Sequence, residues 1–444
     1  MLNKIFSPFL LIFSVIMFGY IFFQSEIILN SEKRNYYLLY YIISITLIII
    51  SIISFFLDKK IRTYLIIILI SIFSTLYIFE IILSYDNYFF NKEIKLKEKI
   101  YNQKTEKLYD KRSKFKIYKD LKKNNKNITL AVPPFSYLFE GNLNKIKKDI
   151  FPLSGISNSK TIHCNESGFY SIYQSDRYGF NNPDKEWDNE EVEILLIGDS
   201  FAHGACVNRP NDIGSVLRNL TDSPIINLGY SSSGPLIEYA SLREYTPKKT
   251  NHIVWIYFEG NDLDDLQIEL QSKLLNKYIT NLNYSQKLKN NQMLIDLVSN
   301  QLLVNEKKYY IKNFIKLGNF VNFIKQHILS NNNKIYQKID EKKNINDFID
   351  IIKLANKFAK NNNSKFYFVY LPDTRRLIQK YSNKNYDSIK YEINRLGIPF
   401  LDINKEVVEK EKNPLILFPF EIINHYNSYG YNKVANSIYK MIYK

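Results

Sequence analysis

The stretch Ile194-Leu-Leu-Ile-Gly-Asp-Ser-Phe-Ala-His-Gly204 decides the fold of this chain. An apolar run ends there in Gly198 and delivers an acid and a hydroxyl, Asp199 and Ser200, which is typical of a strand that runs into a functional turn. Past the turn, apolar residues recur at the spacing of a helix that packs back on the strand, namely Ile213, Val216, Leu217 and Leu220. The pattern predicts a unit of strand, loop and helix with Ser200 at the edge of a sheet.

Three chemistries use such a unit, and the residues around its glycines choose among them. A phosphate-binding P-loop needs Gly-Lys-Ser/Thr after its second glycine, whereas Ala205-Cys206 follows Gly204 here. A dinucleotide site needs Gly-x-Gly-x-x-Gly, which is absent. A serine presented above a sheet for acyl transfer remains, although the Gly-x-Ser-x-Gly elbow of another hydrolase fold is also missing. The alternative is a plain turn at the end of a strand.

Further apolar runs predict the rest of the sheet. After the first strand, at residues 191–197, four more are expected over 225–228, 252–258, 366–371 and 399–402. Helical patterns separate most of them, and a last helix over 431–442 closes the sheet, so the fold class is α/β with a parallel sheet. With strand order 2-1-3-4-5 this is a three-layer α/β/α, flavodoxin-like domain, whose ligands bind where the strand order reverses.

One connection is much longer than a crossover between parallel strands needs. About a hundred residues separate Phe258 from Phe366, and their apolar positions suggest helices. We predict a helical insertion at about 263–345. It is either a lid near the mouth of the site or an extra packing layer.

The first part of the chain is apolar. Runs at about 5–23, 36–57 and 63–84 have the length that a helix needs to cross a bilayer, roughly 20 residues. The first run could be a signal sequence, but two more spans follow and no small-residue cleavage site is evident. We divide the chain into a transmembrane region over 1–84, a charged linker and helical stalk over 85–160, and the α/β domain over 161–444.

The short loops predict the orientation of the spans. Asp58-Lys-Lys-Ile-Arg62 is basic and is expected on the cytoplasmic side, whereas the preceding loop is balanced in charge. The C-terminal domain is therefore expected outside the cytoplasm, in the periplasm of a bacterium whose inner membrane holds the anchor. Cys164 and Cys206 both fall on that oxidising side, which favours a disulfide over two buried thiols.

The formal net charge of +16 raises the possibility of a nucleic-acid partner. The lysines are scattered among Asn, Ile and Tyr, which argues against nucleic acid. Only residues 92–125 are densely basic. They are either a solvated helix and linker or a contact with anionic lipid or polysaccharide.

Four motifs appear in a fixed order. They are Gly198-Asp-Ser200, the small-residue loop 227–234, Gly260-Asn-Asp262, and His425 near the C-terminus. In this arrangement the sequence resembles the SGNH or GDSL hydrolases and acyltransferases over roughly residues 160–444. The resemblance implies an ester-cleaving or acyl-transferring enzyme of the SGNH fold.

The resemblance also implies roles for the residues of these motifs. Ser200 is the nucleophile and His425 its base. The oxyanion donors are expected to be the N–H groups of Ser200 and of Ser232 or Gly234, with the Asn261 amide. Asp199, Gly260 and Asp262 are expected to be structural. His203, three residues after Ser200, is the second choice for the base.

The chain departs from the family pattern at two positions. Ser232 stands where the family usually has its oxyanion glycine, and Gly234 follows two residues later. Ile422 stands three residues before His425, where the family usually has its acid. The candidates to orient His425 instead are Glu421, the possible triad acid, and Asp402 and Asp373.

Two functions follow from these residues. The first is a membrane-anchored serine esterase or O-acyltransferase that acts on acyl, typically acetyl, esters of an envelope glycan or lipid and needs no cofactor or metal. A membrane protein that donates the acyl group is a candidate partner. The second is a glycan-binding or assembly factor that retains the fold without turnover, since function depends on the site rather than on the fold.

Overall fold

The computed structural model describes residues 2–28, 34–85, 88–139, 150–324, 341–377 and 385–444. They form two compact units. The first consists of Met1–Tyr88 and Tyr309–Asn333, and the second of Phe89–Lys308 and Lys334–Lys444. The predicted insertion over 263–345 therefore contributes to both units, and its residues 325–340 lie outside the described part of the chain.

The first unit is built on three long apolar helices. They are Leu2–Phe22, Arg34–Ser54 and Lys59–Tyr85, and a π-helical turn, Phe23–Ile28, extends the first. The stretches long and apolar enough to cross a membrane are Ile5–Ile27, Tyr37–Ser54 and Lys59–Leu83. The prediction of three apolar helices at the N-terminus is confirmed. We call them the first, second and third spans.

Two sheets belong to the second unit. A small sheet has strands β1 (Ile128–Leu130), β2 (Lys160–Ile162) and β3 (Ile172–Gln174), with β2 parallel to β1 and antiparallel to β3. The central sheet has five parallel strands in the order β5-β4-β6-β7-β8. Their bounds are β4 Glu191–Gly198, β5 Ile225–Asn227, β6 Lys249–Phe258, β7 Lys365–Leu371 and β8 Phe400–Asp402.

The order of the central strands is the predicted 2-1-3-4-5, and the predicted α/β fold with a parallel sheet is confirmed. Strand β4 pairs with β5 on one side and with β6 on the other. The strand order reverses there, so the carboxyl ends of β4, β5 and β6 lie side by side. The turn that carries Ser200 follows the middle one of these three strands.

Alternate side chains of each strand enter two different cores, because successive side chains of a strand point to opposite faces. On β4, Leu195 and Ile197 join one apolar core, and Ile194 and Leu196 join the other. Helices cover both faces, which gives three layers. The helices that contribute buried residues to the first core include Pro235–Tyr245, Glu341–Asn361 and Tyr386–Arg395, and those of the second include Ile213–Thr221 and Ser428–Tyr443.

The first part of the insertion packs on the α/β core. Its apolar side chains Leu275, Tyr278 and Ile295 are fully buried there. The remaining α-helices are Tyr88–Thr105, Lys114–Lys122, Ser136–Phe139, Ser200–His203, Asp262–Glu269, Lys273–Thr280, Gln292–Ile315, Gly318–Ile324 and Ile403–Glu406.

Candidate active site

The turn after β4 depends on Gly198 and Asp199. Gly198 has φ +151°, and a Cβ atom there would lie 2.6 Å from the carbonyl oxygen of Ile256 on β6, so only glycine fits this position. The Asp199 carboxylate accepts a hydrogen bond from the N–H of Phe201 at 2.8 Å and so caps the short helix Ser200–His203. Asp199 thus makes a structural contact in the turn, and Ser200 is the first residue of the helix.

His425 lies just before the C-terminal helix Ser428–Tyr443, whose N-terminus is capped by the side chain of Asn427. The His425 Nε2 atom is 2.9 Å from the Ser200 Oγ atom. The ring also packs on the Phe201 ring, with 4.9 Å between the centroids. The two residues that the sequence motifs selected as nucleophile and base are thus within hydrogen-bond distance.

The partner of His425 Nδ1 is Glu166. Glu166 Oε1 lies 2.9 Å from Nδ1, and Oε2 accepts from the backbone N–H of His425 at 2.9 Å. The carboxylate therefore holds both the ring and the main chain of the histidine. Ser200, His425 and Glu166 form a continuous hydrogen-bonded chain with the geometry of a catalytic triad.

The acid expected from the sequence, Glu421, is not this partner. It is exposed, and its side chain accepts from the Asn413 amide at 3.1 Å. The other two candidates are also engaged elsewhere, Asp402 with the N–H of Asn404 and Asp373 with Arg375. Glu166 stands in none of the four motifs and lies 259 residues before His425, in the loop between β2 and β3, so the sequence did not point to it.

The loop of Glu166 is fixed by residues 97–112, the part of the predicted linker and stalk that precedes the small sheet and that we call the stalk from here on. Asn165 donates to the carbonyl of Asp110 at 2.8 Å, and the N–H of Asp110 donates to the carbonyl of Gly168 at 2.9 Å. Gly168 has φ +92°, and a Cβ atom there would lie 2.5 Å from the Tyr101 ring. Two stalk segments therefore hold the acid loop from both sides of Glu166.

The stalk also contacts the segment that carries His425. Phe420 packs on the rings of Tyr101 and Tyr109, with centroids 6.2 and 6.4 Å apart. With the Asn424 amide oriented to satisfy its neighbours, its oxygen accepts from Lys97 Nζ at 2.7 Å. The side chain of Lys97, from the helix Tyr88–Thr105, is buried, and its charge acts on the Glu166 carboxylate.

Cys164 and Cys206 form a disulfide, the pairing that the sequence favoured. The bridge joins the acid loop, two residues before Glu166, to the segment that follows the nucleophile helix. The Cys206 Sγ atom, a Glu166 carboxylate oxygen and a His425 ring nitrogen all lie within 4.8 Å of one another. The disulfide therefore packs against the acid and base.

The charges in and around the triad shift the pKa values of His425 and Glu166. Burial on its own would lower the pKa of His425, but the hydrogen bond and charge of Glu166, with the charge of Asp199, raise the pKa above its ordinary value. Burial on its own would raise the pKa of Glu166, but His425 and the charge of Lys97 lower it below its ordinary value. The arrangement favours an ionised Glu166 beside a histidine of increased basicity.

The expected oxyanion donors differ in whether their N–H groups are already bonded within the protein. Ser232 is exposed and has φ +58°, the left-handed conformation that a glycine usually adopts at such a turn. The N–H of Gly234 donates to Glu269 at 2.6 Å, so Gly234 is not a free donor. The Asn261 amide donates to Asp265 at 2.5 Å, and its second hydrogen remains for a ligand. Asn261 and Ser232 are the candidates that remain beside the N–H of Ser200.

Several buried acids lie near one another beside the end of β6, Asp262 in the stretch that follows it and Glu238 on the helix Pro235–Tyr245. Gly260 lies in the turn, and Asp262 begins the next helix and accepts from the N–H of Phe258 at 2.8 Å, a structural contact. Both oxygens of Glu238 are buried without a hydrogen-bond partner among the described residues. Burial, together with the charges of the neighbouring acids, raises the pKa values of Glu238 and Asp262 well above the ordinary range.

Glu269 belongs to the same group of acids. Its carboxyl accepts from the N–H groups of Gly234, Leu236 and Ile237, at the start of the helix Pro235–Tyr245. Burial raises the pKa of Glu269 to about 8, although these three N–H groups oppose the shift. In the folded protein this side chain therefore takes up a proton at a higher pH than in the unfolded chain.

We expect Glu269→Gln to flatten the pH dependence of stability. The folded pKa of Glu269 is above its unfolded value, so its contribution is fully present below the unfolded pKa and is lost as the pH rises through about 8. Thermal unfolding between about pH 5 and pH 9 measures the slope. Glu406→Gln, an exposed acid, is the control and should keep the wild-type slope. Equal slopes in all three proteins would contradict the assignment.

The remaining histidines near the site do not contact Ser200 in the described hydrogen-bond network. His203, the second choice for the base, is fully buried, and its Nδ1 atom faces the carbonyl of Gly229 at 3.3 Å. His163 bonds through Nε2 to the Ser231 hydroxyl at 2.7 Å and packs on His203. Burial lowers the pKa values of both rings, that of His203 to about 4, which favours their neutral forms. Both rings contact the loop after β5, His203 at Gly229 and His163 at Ser231.

Comparison with known proteins finds a likeness among solved structures. No protein-family model matches the sequence, and no curated protein matches it. Among solved structures, the chain is similar to a protein assigned to the G-D-S-L family of lipolytic proteins, from Desulfitobacterium hafniense DCB-2. The two are 14% identical, and the match covers 56% of this chain and 99% of that chain with a TM-score of 0.31.

Proposed function

We propose that the chain is a membrane-anchored serine esterase or O-acyltransferase. One observation carries the proposal: the Ser200 hydroxyl, the His425 ring and the Glu166 carboxylate are joined by contacts of 2.9 Å at each link. A serine hydroxyl is a weak nucleophile at its own pKa and needs a base within hydrogen-bond reach. The third group holds that base in the tautomer that accepts the serine proton.

In the proposed reaction, Ser200 Oγ attacks the ester carbonyl while His425 Nε2 takes its proton. The alcohol then leaves with that proton, and the acyl group stays on Ser200. Water completes a hydrolysis, and a sugar or lipid hydroxyl completes a transfer, with His425 again as base. Glu166 stabilises the imidazolium formed in both steps. The Asn261 amide and backbone N–H groups stabilise the oxyanion.

The three spans and the disulfide support the location of this chemistry. Three apolar helices long enough to cross a membrane precede the α/β domain. A disulfide persists in oxidising compartments, and here its Cys206 Sγ atom lies within 4.8 Å of the acid and the base. We therefore propose that the domain faces outward from a bacterial inner membrane. Acyl esters of an envelope glycan or lipid are the substrate class, and a membrane acyl donor is a partner if the reaction is transfer.

The two sequence features that favoured a binding or assembly factor without turnover are compensated in the structure. They are the missing acid before His425 and Ser232 in place of glycine. Glu166 provides a carboxylate from another segment, and Ser232 adopts the left-handed backbone of the glycine that it replaces. Both features support an active enzyme.

We expect a fluorophosphonate probe to label Ser200, because the probe reacts with serines activated by a neighbouring base. Mass spectrometry of the labelled full-length protein identifies the residue. Ser200→Ala should abolish labelling, and Ser223→Ala, a serine in the turn before β5, should not change it. Absence of a Ser200 adduct, with the protein folded by circular dichroism, would refute the esterase and the transferase alike.

A further inference from the structure

The third span carries a buried carboxylate whose partners lie far away in the chain. Glu80 is fully buried near the end of this helix. Its Oε1 atom accepts from the Asn319 N–H at 3.1 Å and from the Asn319 side chain at 2.9 Å, and its Oε2 atom accepts from the Phe320 N–H at 2.8 Å. An acid on a membrane helix is costly without partners, and such residues are functional. Here its partners belong to the connection between β6 and β7.

The same part of that connection contacts the third span at two more residues. The Tyr77 hydroxyl donates to the carbonyl of Ile315 at 2.9 Å. The Phe79 ring packs edge-on against the rings of Phe320 and Phe323, with centroids 5.8 and 5.6 Å apart. Residues 314–324 are therefore docked on the end of the third span along one turn of its helix. We call them the docked segment.

The docked segment also contacts the other two spans, through Lys316. The Lys316 ammonium lies over the rings of Tyr20 and Tyr37, 5.7 Å from each centroid. Tyr20 is near the end of the first span and Tyr37 at the start of the second. Since successive spans cross in opposite directions, these two tyrosines and Glu80 belong to the same end of the three-helix bundle. Tyrosine is enriched at that level of a membrane, where its ring is apolar and its hydroxyl is wet.

Two apolar side chains of the docked segment remain exposed. Phe314 is 37% and Ile315 62% exposed, next to spans whose outer surfaces are also apolar. The segment turns sharply at Leu317, which has φ +53°, so that the short helix Gly318–Ile324 follows the long helix Gln292–Ile315. Exposed apolar residues beside a membrane bundle are typical of elements that lie in the interface.

From these contacts we propose that the docked segment is a fourth membrane element, an interfacial one, in which Phe314 and Ile315 contact the acyl chains of the phospholipid bilayer. It gives the chain a second attachment to the membrane in addition to the spans. It also accounts for the length of the connection between β6 and β7, because the chain visits the bilayer between these two strands. The proposal does not depend on the catalytic activity.

The test is quenching of a tryptophan by brominated phospholipids in vesicles that contain the full-length protein. The chain has two tryptophans, Trp187 and Trp255, whose signal is measured in the parent protein and subtracted. Ile315→Trp is the test variant. Ile72→Trp on the exposed face of the third span and Tyr391→Trp on the α/β domain are the positive and negative controls.

We expect Ile315→Trp to be quenched strongly by lipids brominated near the headgroup and less by lipids brominated near the chain ends. Quenching no greater than that of Tyr391→Trp would overturn the membrane contact. Glu80→Ala in the Ile315→Trp protein should reduce the quenching, because the segment loses its three hydrogen bonds. Thr75→Ala, an exposed residue of the same span, should leave it unchanged. Equal quenching in both would overturn the role of Glu80.

Discussion

Glu166→Gln is expected to lower kcat/KM for ester cleavage roughly 10³- to 10⁴-fold, the scale seen when a triad acid becomes an amide. The Glu166 carboxylate accepts from His425 twice, at the ring Nδ1 and at the backbone N–H. Glutamine has only one acceptor oxygen, so its NH₂ group would face one of these two donors. The histidine then loses either its tautomer or its position relative to Ser200.

The pH profile distinguishes this role from a structural one. Glu166 raises the pKa of His425, and the base works only when neutral, so wild-type kcat/KM rises with pH around a value above the ordinary histidine pKa. In Glu166→Gln the residual activity should rise at a lower pH. Glu421→Gln, at the acid nearer to His425 in sequence, is the matched control and should keep both rate and profile. A larger loss in the control than in Glu166→Gln would refute the assignment of the acid.

Removing the disulfide should impair stability and catalysis together. The bridge links residues 42 apart, and loop-closure entropy assigns such a link about 4 kcal/mol. Cys164 is two residues before Glu166, and Cys206 is part of the segment after the nucleophile helix. A displacement of about 1 Å at a reacting group can cost roughly a hundredfold in rate. We therefore expect Cys164→Ser/Cys206→Ser to unfold at a lower temperature and to have a lower kcat.

Reduction of the wild-type protein provides the internal control. A thiol reductant should make the wild type behave like Cys164→Ser/Cys206→Ser, and it should not change the double variant. Melting temperature and kcat are measured before and after treatment. If the unreduced wild type has two alkylatable thiols, or if reduction lowers the melting temperature with kcat intact, the bridge does not hold the site together.

The fold could be predicted because its signals are local. The strands are short apolar runs that end in turn residues, and the helices between them show the helical period. From these runs the parallel sheet followed, and the flavodoxin-like order 2-1-3-4-5 places the strand ends at Gly198 and Phe258 side by side, as the structure has them. The packing of the insertion was harder to predict from the sequence. Its apolar positions predict helices equally well against an α/β core and against membrane spans, and the chain uses both.

The residues of the site that stand in a sequence motif could be predicted, and the one outside any motif could not. Ser200 and His425 stand in short motifs and meet at 2.9 Å. Glu166 stands in no motif, because its distance from His425 is set by how the stalk and the small sheet fold. A signal was nevertheless present. The cysteine pairing brings residue 164 beside the nucleophile segment, and an acid two residues further on is then within reach of the histidine.

The dependence of the acid loop on the stalk has a consequence for proteolysis of the chain. Leu108 is 88% exposed, between the helix that carries Lys97 and Tyr101 and the residues that bind the loop of Glu166. A cut there would break the covalent link between that helix and the α/β domain. The cut protein would keep its nucleophile and base but lose support for the contacts that hold the acid, while the docked segment would still attach the domain to the third span. On the proposed function, a cut before Lys97 would leave the acid in place, so the position of cleavage decides whether proteolysis lowers the activity.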